Sequence, residues 1–273
     1  MEEPWFHRSA EKWKLARLDD MHFYSYGMRE SSENGTVVIK TSGKIIPTGK
    51  YLGFEVDIIY TVYPSGIVLT EINASPFGKL PGTLPRFGVH FTIDKKYDSV
   101  EWYGRGEREN YSDCKLASPI GLYKKRAEET YTVFDMPQHS GNHEDTAFLR
   151  LLSPGTPGLS VIGCDEFAFT YRDVVEEALD VALHKNEVDL SAQNHLYVDY
   201  KMRGLGSASC GPEPEEEFEF RPHSFRFAFA IGAGLSRDEA LDLRRLNLGA
   251  TTHKSCAEAV TSATTQSEER NLL

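Results

Sequence analysis

The feature that most constrains this chain is a pair of strand-like runs joined by three residues. Tyr51–Tyr63 (YLGFEVDIIYTVY) and Gly66–Asn73 (GIVLTEIN) mix polar–apolar alternation with β-branched and aromatic residues, and Pro64-Ser65-Gly66 between them is a turn signal. That pattern predicts an antiparallel hairpin. The same texture recurs at Thr36–Lys40, Arg86–Asp94, Ser99–Tyr103, Thr146–Leu152, Leu159–Ile162, Glu166–Tyr171, His195–Met202 and Glu217–Ile231. Short strands with regular turn punctuation predict a mainly β protein built as a large antiparallel sandwich.

Helical patterning is sparse. Asp173–His184 (DVVEEALDVALH) carries the one short helix expected in the body, with Asp173 placed to cap it. The first 30 residues, with Trp5, Trp13 and Tyr24, read as a fragmentary strap. Beyond Ile231 the strand character is lost. Ser236–Leu246 has the spacing of a short amphipathic helix, with Ser236 and Glu239 forming a capping box. Thr251–Leu273 is Ser/Thr/Ala/Gln-rich and reads as disordered, so the tail is expected to be disordered or helical.

Composition narrows the function. A net charge of −11 with no Lys/Arg stripe argues against nucleic acid and anionic membranes as partners, and suits a neutral ligand such as a sugar. No run approaches the ~20 apolar residues of a membrane helix. The start, Met1-Glu-Glu-Pro, has neither the basic nor the apolar region of a secretory signal, so a cytoplasmic location is expected. Cys114, Cys164, Cys210 and Cys256 are widely spaced with no CxxC pair. This implies no zinc site and no disulfide framework, and reduced thiols are the expectation. The sequons at Asn34, Asn73 and Asn110 read as chance matches in an intracellular chain.

Three segments hold the chemistry. In Glu101–Asp113 (EWYGRGERENYSD), Gly104 and Gly106 permit tight backbone, Glu109, Asn110 and Asp113 are of a type to bind sugar hydroxyls, and Trp102 offers a ring face suited to a pyranose. The plain alternative is a loop whose Asn and Asp bond their own backbone. In Gly204–Gly211 (GLGSASCG) small residues admit close approach of a ligand or another domain, and Cys210 has no His or Asn partner in sequence that would make it a nucleophile. Met136–Thr146 (MPQHSGNHEDT) holds His139, His143, Glu144 and Asp145. The two His are four apart, but Pro137, Ser140 and Gly141 oppose the helix a zinc pair would use. A hydrogen-bonded turn is expected instead, with His–Glu proton relay as the alternative.

These segments carry a resemblance. WYGRGERENYSD, MPQHSGNHEDT, YVDYKMRGLGSASCGP and FEFRPHSFRFAFAI, in this order, resemble the C-terminal small-chain domain (domain 5) of family 2 β-galactosidases, from about Trp13 to Ile231. EKWKLARLDDMHF is similar to the segment just ahead of that domain. The resemblance implies residues 1–30 as a strap continuing from an upstream domain, 31–232 as the small-chain domain, and 233–273 as a tail outside the family. It also implies a supersandwich of the galactose mutarotase type.

For activity, the resemblance implies retaining hydrolysis of terminal β-galactosides such as lactose by two glutamates ~5 Å apart on a TIM barrel. A barrel takes ~250 residues and its motifs are absent here. No catalytic residue and no metal ligand is therefore expected in this chain. Mg²⁺ and Na⁺ would belong to the catalytic partner domain or large chain, and the assembly would be an oligomer. Gly106, Glu109, Asn110 and Asp113 would line the active-site wall on a closing loop. Ser207, Ser209 and Cys210 would contact sugar, with Cys210 standing where some members have a stacking tryptophan. Two alternatives remain open: a stand-alone carbohydrate-binding module, and a mutarotase-like epimerase using His139, His143 and Glu144.

Overall fold

The protein is described here from a computed structural model covering residues 8–206 and 213–248. In chain order, α1 (Arg8–Ala16) precedes β1 (Met21–Glu33), β2 (Thr36–Pro47), β3 (Gly53–Val62) and β4 (Val68–Phe77). Next come β5 (Arg86–Ile93), β6 (Ser99–Arg105), β7 (Ile120–Arg126), β8 (Asn142–Ser153) and β9 (Thr156–Arg172). The short α2 (Glu176–Val181), β10 (Asn194–Met202), β11 (Phe225–Ala233) and α3 (Arg237–Leu248) complete the order. The architecture is mainly β and antiparallel, and the chain divides into two compact units.

The first unit comprises residues 1–86, 203–231 and 245–273. Its sheet runs β1-β2-β3-β4-β11. The hairpin read from the sequence is β3–β4, closed by Gly66 N–H to the Tyr63 carbonyl at 2.9 Å and Tyr63 N–H to the Ile67 carbonyl at 2.9 Å. Register aligns Val56 with Ala74 and Ala74 with Phe225, and Ile58 with Ile72 and Ile72 with Phe227. Period-2 alternation therefore gathers apolar side chains on one face, where Phe54, Val56, Ile72 and Phe227 are buried and Phe220 packs edge-on to Phe225.

The segment read as a strap carries a helix and most of a 13-residue strand. α1 is anchored by Trp13, whose Nε1 donates to the Thr83 carbonyl at 2.8 Å. The buried Arg203 guanidinium lies 5.5 Å from the centre of the Trp13 ring and pairs with Glu213. Arg203 is thus held at the stem of the Gly204–Gly211 segment.

The second unit comprises residues 87–202 and 232–244. Its sheet runs β7-β6-β8-β9-β10-β5. Val100, Trp102, Leu149, Leu151 and Val161 are buried and share a face by register. On the opposite face α3 binds the sheet: Arg237 reaches Glu101 at 2.5 Å, and Arg244 donates to the Gly163 carbonyl at 3.1 Å. The expected capping box is present, with Ser236 N–H to Glu239 at 2.8 Å and Glu239 N–H to the Ser236 hydroxyl at 3.2 Å.

Several sequence expectations are corrected. Of the three α-helices among the described residues, only α1, in the segment read as a strap, was not expected. The helix placed at Asp173–His184 is only Glu176–Val181, with Val175 and not Asp173 at its N-cap. Asp173 is engaged by Lys95 and Tyr131 at 2.9 Å each, which takes it out of the capping role. Leu159–Ile162 and Glu166–Tyr171 are one bulged strand, and β7 was not anticipated. Glu217–Ile231 begins as a 3₁₀ turn, and its strand starts at Phe225. Cys164 is disulfide-bonded where a reduced thiol was expected. The disordered reading of Thr251–Leu273 concerns residues outside those described.

Candidate functional site

The site lies in the second unit, where the segment after β6 meets the start of β8. Glycine is required at the turn out of β6. A Cβ on Gly104 would stand 2.8 Å from Thr146 Cα, and one on Gly106 would stand 2.7 Å from the Tyr123 ring and 3.1 Å from the Trp102 indole. Trp102 itself is fully buried, and its Nε1 donates to the Arg105 carbonyl at 3.0 Å. Its ring is core, so the expectation of a sugar-facing indole there is corrected.

Asn110 and Asn142 clamp the loop. Asn110 N–H donates to the Asn142 carbonyl at 2.7 Å, and Asn142 Nδ2 donates to the Asn110 carbonyl at 2.9 Å. Asn110 Oδ1 accepts the Glu144 N–H at 2.9 Å, and its Nδ2 donates to the Arg108 carbonyl at 3.0 Å. Glu109 completes the clamp: its carboxylate accepts the Thr132 hydroxyl at 2.7 Å and the Gly141 N–H at 2.5 Å. These bonds satisfy backbone groups that a loop would otherwise leave to water. Glu107 and Arg108 are left exposed above this base.

Charge follows the same geometry. Burial opposes ionisation of Asp145, but hydrogen bonds from Lys115 and Arg105, each at 2.5 Å, outweigh it and lower its pKa. Glu144 is pushed up to about 7, first by burial and then by Asp145 and Asp199, against the Asn142 hydrogen bond. His143 is wholly buried, with its ring centre 4.6 Å from that of Trp102 and 5.0 Å from that of Phe169. Burial drives its pKa down to about 3, against the backbone of Thr130 and Arg105. It is a neutral core residue at physiological pH.

Glu144 makes a pH-dependent prediction. Its folded pKa lies above the ordinary 4.5. The stability it contributes is therefore complete below pH 4.5 and lost as pH rises through about 7. Glu144→Gln should raise stability by up to about 3 kcal/mol at pH 8 and leave it nearly unchanged at pH 4. Melting temperatures at the two pH values check this, and an equal shift at both would refute the assignment.

Of the residues singled out in the sequence, Gly106, Glu109, Asn110, Asp113, His139, His143 and Glu144 fall in this second unit. Ser207, Ser209 and Cys210 lie outside the described residues. The HEDT stretch begins β8 and is not a turn. His139 and His143 are engaged separately: His139 Nδ1 contacts Glu176 Oε1 at 2.5 Å, and His143 is sealed between aromatic rings. Sequence reasoning missed Thr132, Asn142, Arg172 and Glu176. Arg172 Nη2 lies 2.7 Å from the same Glu176 oxygen, with Nη1 donating to the Ser140 carbonyl at 2.9 Å. An arginine closing the apolar run FAFTYR was the signal available for it. Among the described residues, no group of three or more His, Cys, Asp or Glu side chains gathers as a metal site.

The site is therefore a braced loop on an antiparallel β domain. Comparison with known proteins gives the family. The family model described as beta galactosidase small chain matches residues 3–231. This chain belongs to the β-galactosidase small-chain family. It is 33% identical over 207 residues to the beta-galactosidase of Kluyveromyces lactis and 31% identical over 202 residues to that of Actinobacillus pleuropneumoniae. These matches cover 75% and 74% of this chain but 20% of each relative, so it spans about a fifth of their length. Among solved structures, it is similar to galactose 1-epimerase from Lactobacillus acidophilus NCFM. The TM-score is 0.40 with 10% identity, over 76% of this chain and 66% of that one. That likeness is too low to add to the family assignment.

Proposed function

We propose that this chain forms one wall of the active site of a β-galactosidase whose catalytic barrel is carried by a partner domain or chain. On this reading the partner supplies the two carboxylates of a retaining hydrolysis of terminal β-galactosides such as lactose. Mg²⁺ and Na⁺ belong to that partner, and the assembly works as a cytoplasmic oligomer. The chain's own contribution is positioning. The carrying observation is the reciprocal Asn110–Asn142 clamp with Glu109 held by Thr132 and Gly141. A loop fixed at its base this way presents Glu107 and Arg108 at a defined place, and such preorganisation is what a wall facing a transition state must provide.

The family's closing-loop motion is assigned here to the crest at Glu107 and Arg108, since Asn110 is buried. For Ser207, Ser209 and Cys210 the reading keeps the role that the family resemblance implies, contact with sugar. Cys210 cannot stack on a sugar as an indole does, so transfer to acceptor sugars should be weak.

The test is a mixing assay: this chain, a barrel-bearing large part from the same source, and a chromogenic β-galactoside. Activity is expected only in the mixture. Hydrolysis by this chain alone, or a folded pair with no activity, would overturn the reading.

A further inference from the structure

Beside the loop clamp, the second unit carries an apolar surface that the wall does not use. The segment 131–138 faces the segment 174–190, and the two are tied by Lys185, whose N–H donates to the Asp135 carbonyl at 3.2 Å and whose Nζ lies 2.7 Å from the Asp135 carboxylate. Between them is a cavity of about 290 Å³ lined by Val133, Phe134, Val174, Leu179, Val188 and Leu190 among others. Three of its apolar lining side chains are open to solvent: Val133, Phe134 and Leu190 are 58%, 37% and 67% exposed. A soluble chain seldom leaves so many large apolar side chains together in water unless a partner covers them.

We propose that this cavity and its apolar rim are where the catalytic large part of the β-galactosidase docks, seating an apolar side chain in the cavity. The proposal rests on the small-chain reading above and adds the surface that reading leaves unspecified. Two observations identify the occupant. The matched region is 20% of the length of its relatives, and the small-chain reading assigns the remainder to a partner several times the size of this chain. Thr132 lines the cavity and also donates to Glu109 at 2.7 Å, so whatever docks here lies against the loop assigned to the active-site wall. The chain's own residues 249–273 are a poorer occupant. They are Ser/Thr-rich, with Val260, Leu272 and Leu273 as their only large aliphatic residues, and lie past the family match.

The experiment compares the unaltered chain with Val133→Asp/Leu190→Asp, two sites exposed enough to keep the fold, and with Leu15→Asp on α1 as a surface control. Circular dichroism verifies folding. Affinity for the purified large part is read by sedimentation or calorimetry. The double variant should bind at least roughly 30-fold more weakly, as loss of a central apolar anchor does, while the control binds within about twofold. Unchanged affinity of the folded double variant, with the unaltered chain still binding and activating the large part, would refute the docking surface and leave the small-chain reading standing. Failure of the unaltered chain to bind the large part would overturn both. Self-association abolished by the double variant, with no loss of large-part binding, would assign the surface to a second copy and refute the proposal.

Discussion

Arg172→Ala is expected to destabilise the second unit by about 2–6 kcal/mol, at about 1–3 kcal/mol for each of two buried carbonyls left without a donor. Arg172 is fully buried. Its Nε donates to the Val174 carbonyl at 3.0 Å, its Nη1 to the Ser140 carbonyl at 2.9 Å, and its Nη2 lies 2.7 Å from Glu176. The guanidinium also lies 5.7 Å from the centre of the Tyr197 ring. One side chain thus joins β9, β10, α2 and the segment before β8. Its removal strands the two carbonyls, while Glu176 keeps its contact with His139. Urea denaturation of both proteins checks the value, and a loss below about 1 kcal/mol would mean water replaces the guanidinium freely.

Asn110→Ala should have the largest functional effect. Asn110 is buried, and its side chain accepts the Glu144 N–H and donates to the Arg108 carbonyl. The variant leaves the part-buried Glu144 N–H without its acceptor, at about 1–3 kcal/mol, and releases the Arg108 carbonyl of the exposed crest to water. The backbone exchange with Asn142 survives, so the chain should fold while the loop crest loses its fixed position. A displacement of about 1 Å at a positioning element costs roughly 100-fold in rate. In the mixing assay, kcat should therefore fall by about that factor with docking affinity unchanged. A fall in affinity with kcat retained would instead place Asn110 in the docking contact.

Much of the fold was legible because strand signals are local. Alternation and the Pro-Ser-Gly turn located β3 and β4, and Ser236 and Glu239 marked the start of α3 through contacts three residues apart. The errors share a cause. β1 has no core face to impose alternation: all of it except Met21 is exposed, and so it read as a strap. α2 was read too long because apolar residues at 181 and 183 looked like a buried helical stripe, yet both are exposed.

The candidate site was half legible. Glu109 and Asn110 stood out by type, but their partners Thr132, Gly141 and Asn142 lie 23 to 32 residues away. Nothing local to MPQHSGN marks it as the other half of a clamp. Likewise the pattern that made Trp102 a candidate sugar platform and His143 a candidate base is equally that of a core, and only packing could tell them apart.

By itself, then, the sequence determined the antiparallel β class, the order of most strands and, through four ordered motifs, the family. Those properties depend on side-chain period, turn chemistry and residue order, all written along the chain. Tertiary structure alone decided that Trp102 and His143 are interior, that Glu144 titrates near 7, that Asn110 braces a loop, and that an apolar cavity opens beside it. Burial and the pairing of distant residues set those properties, and neither exists until the strands are brought together.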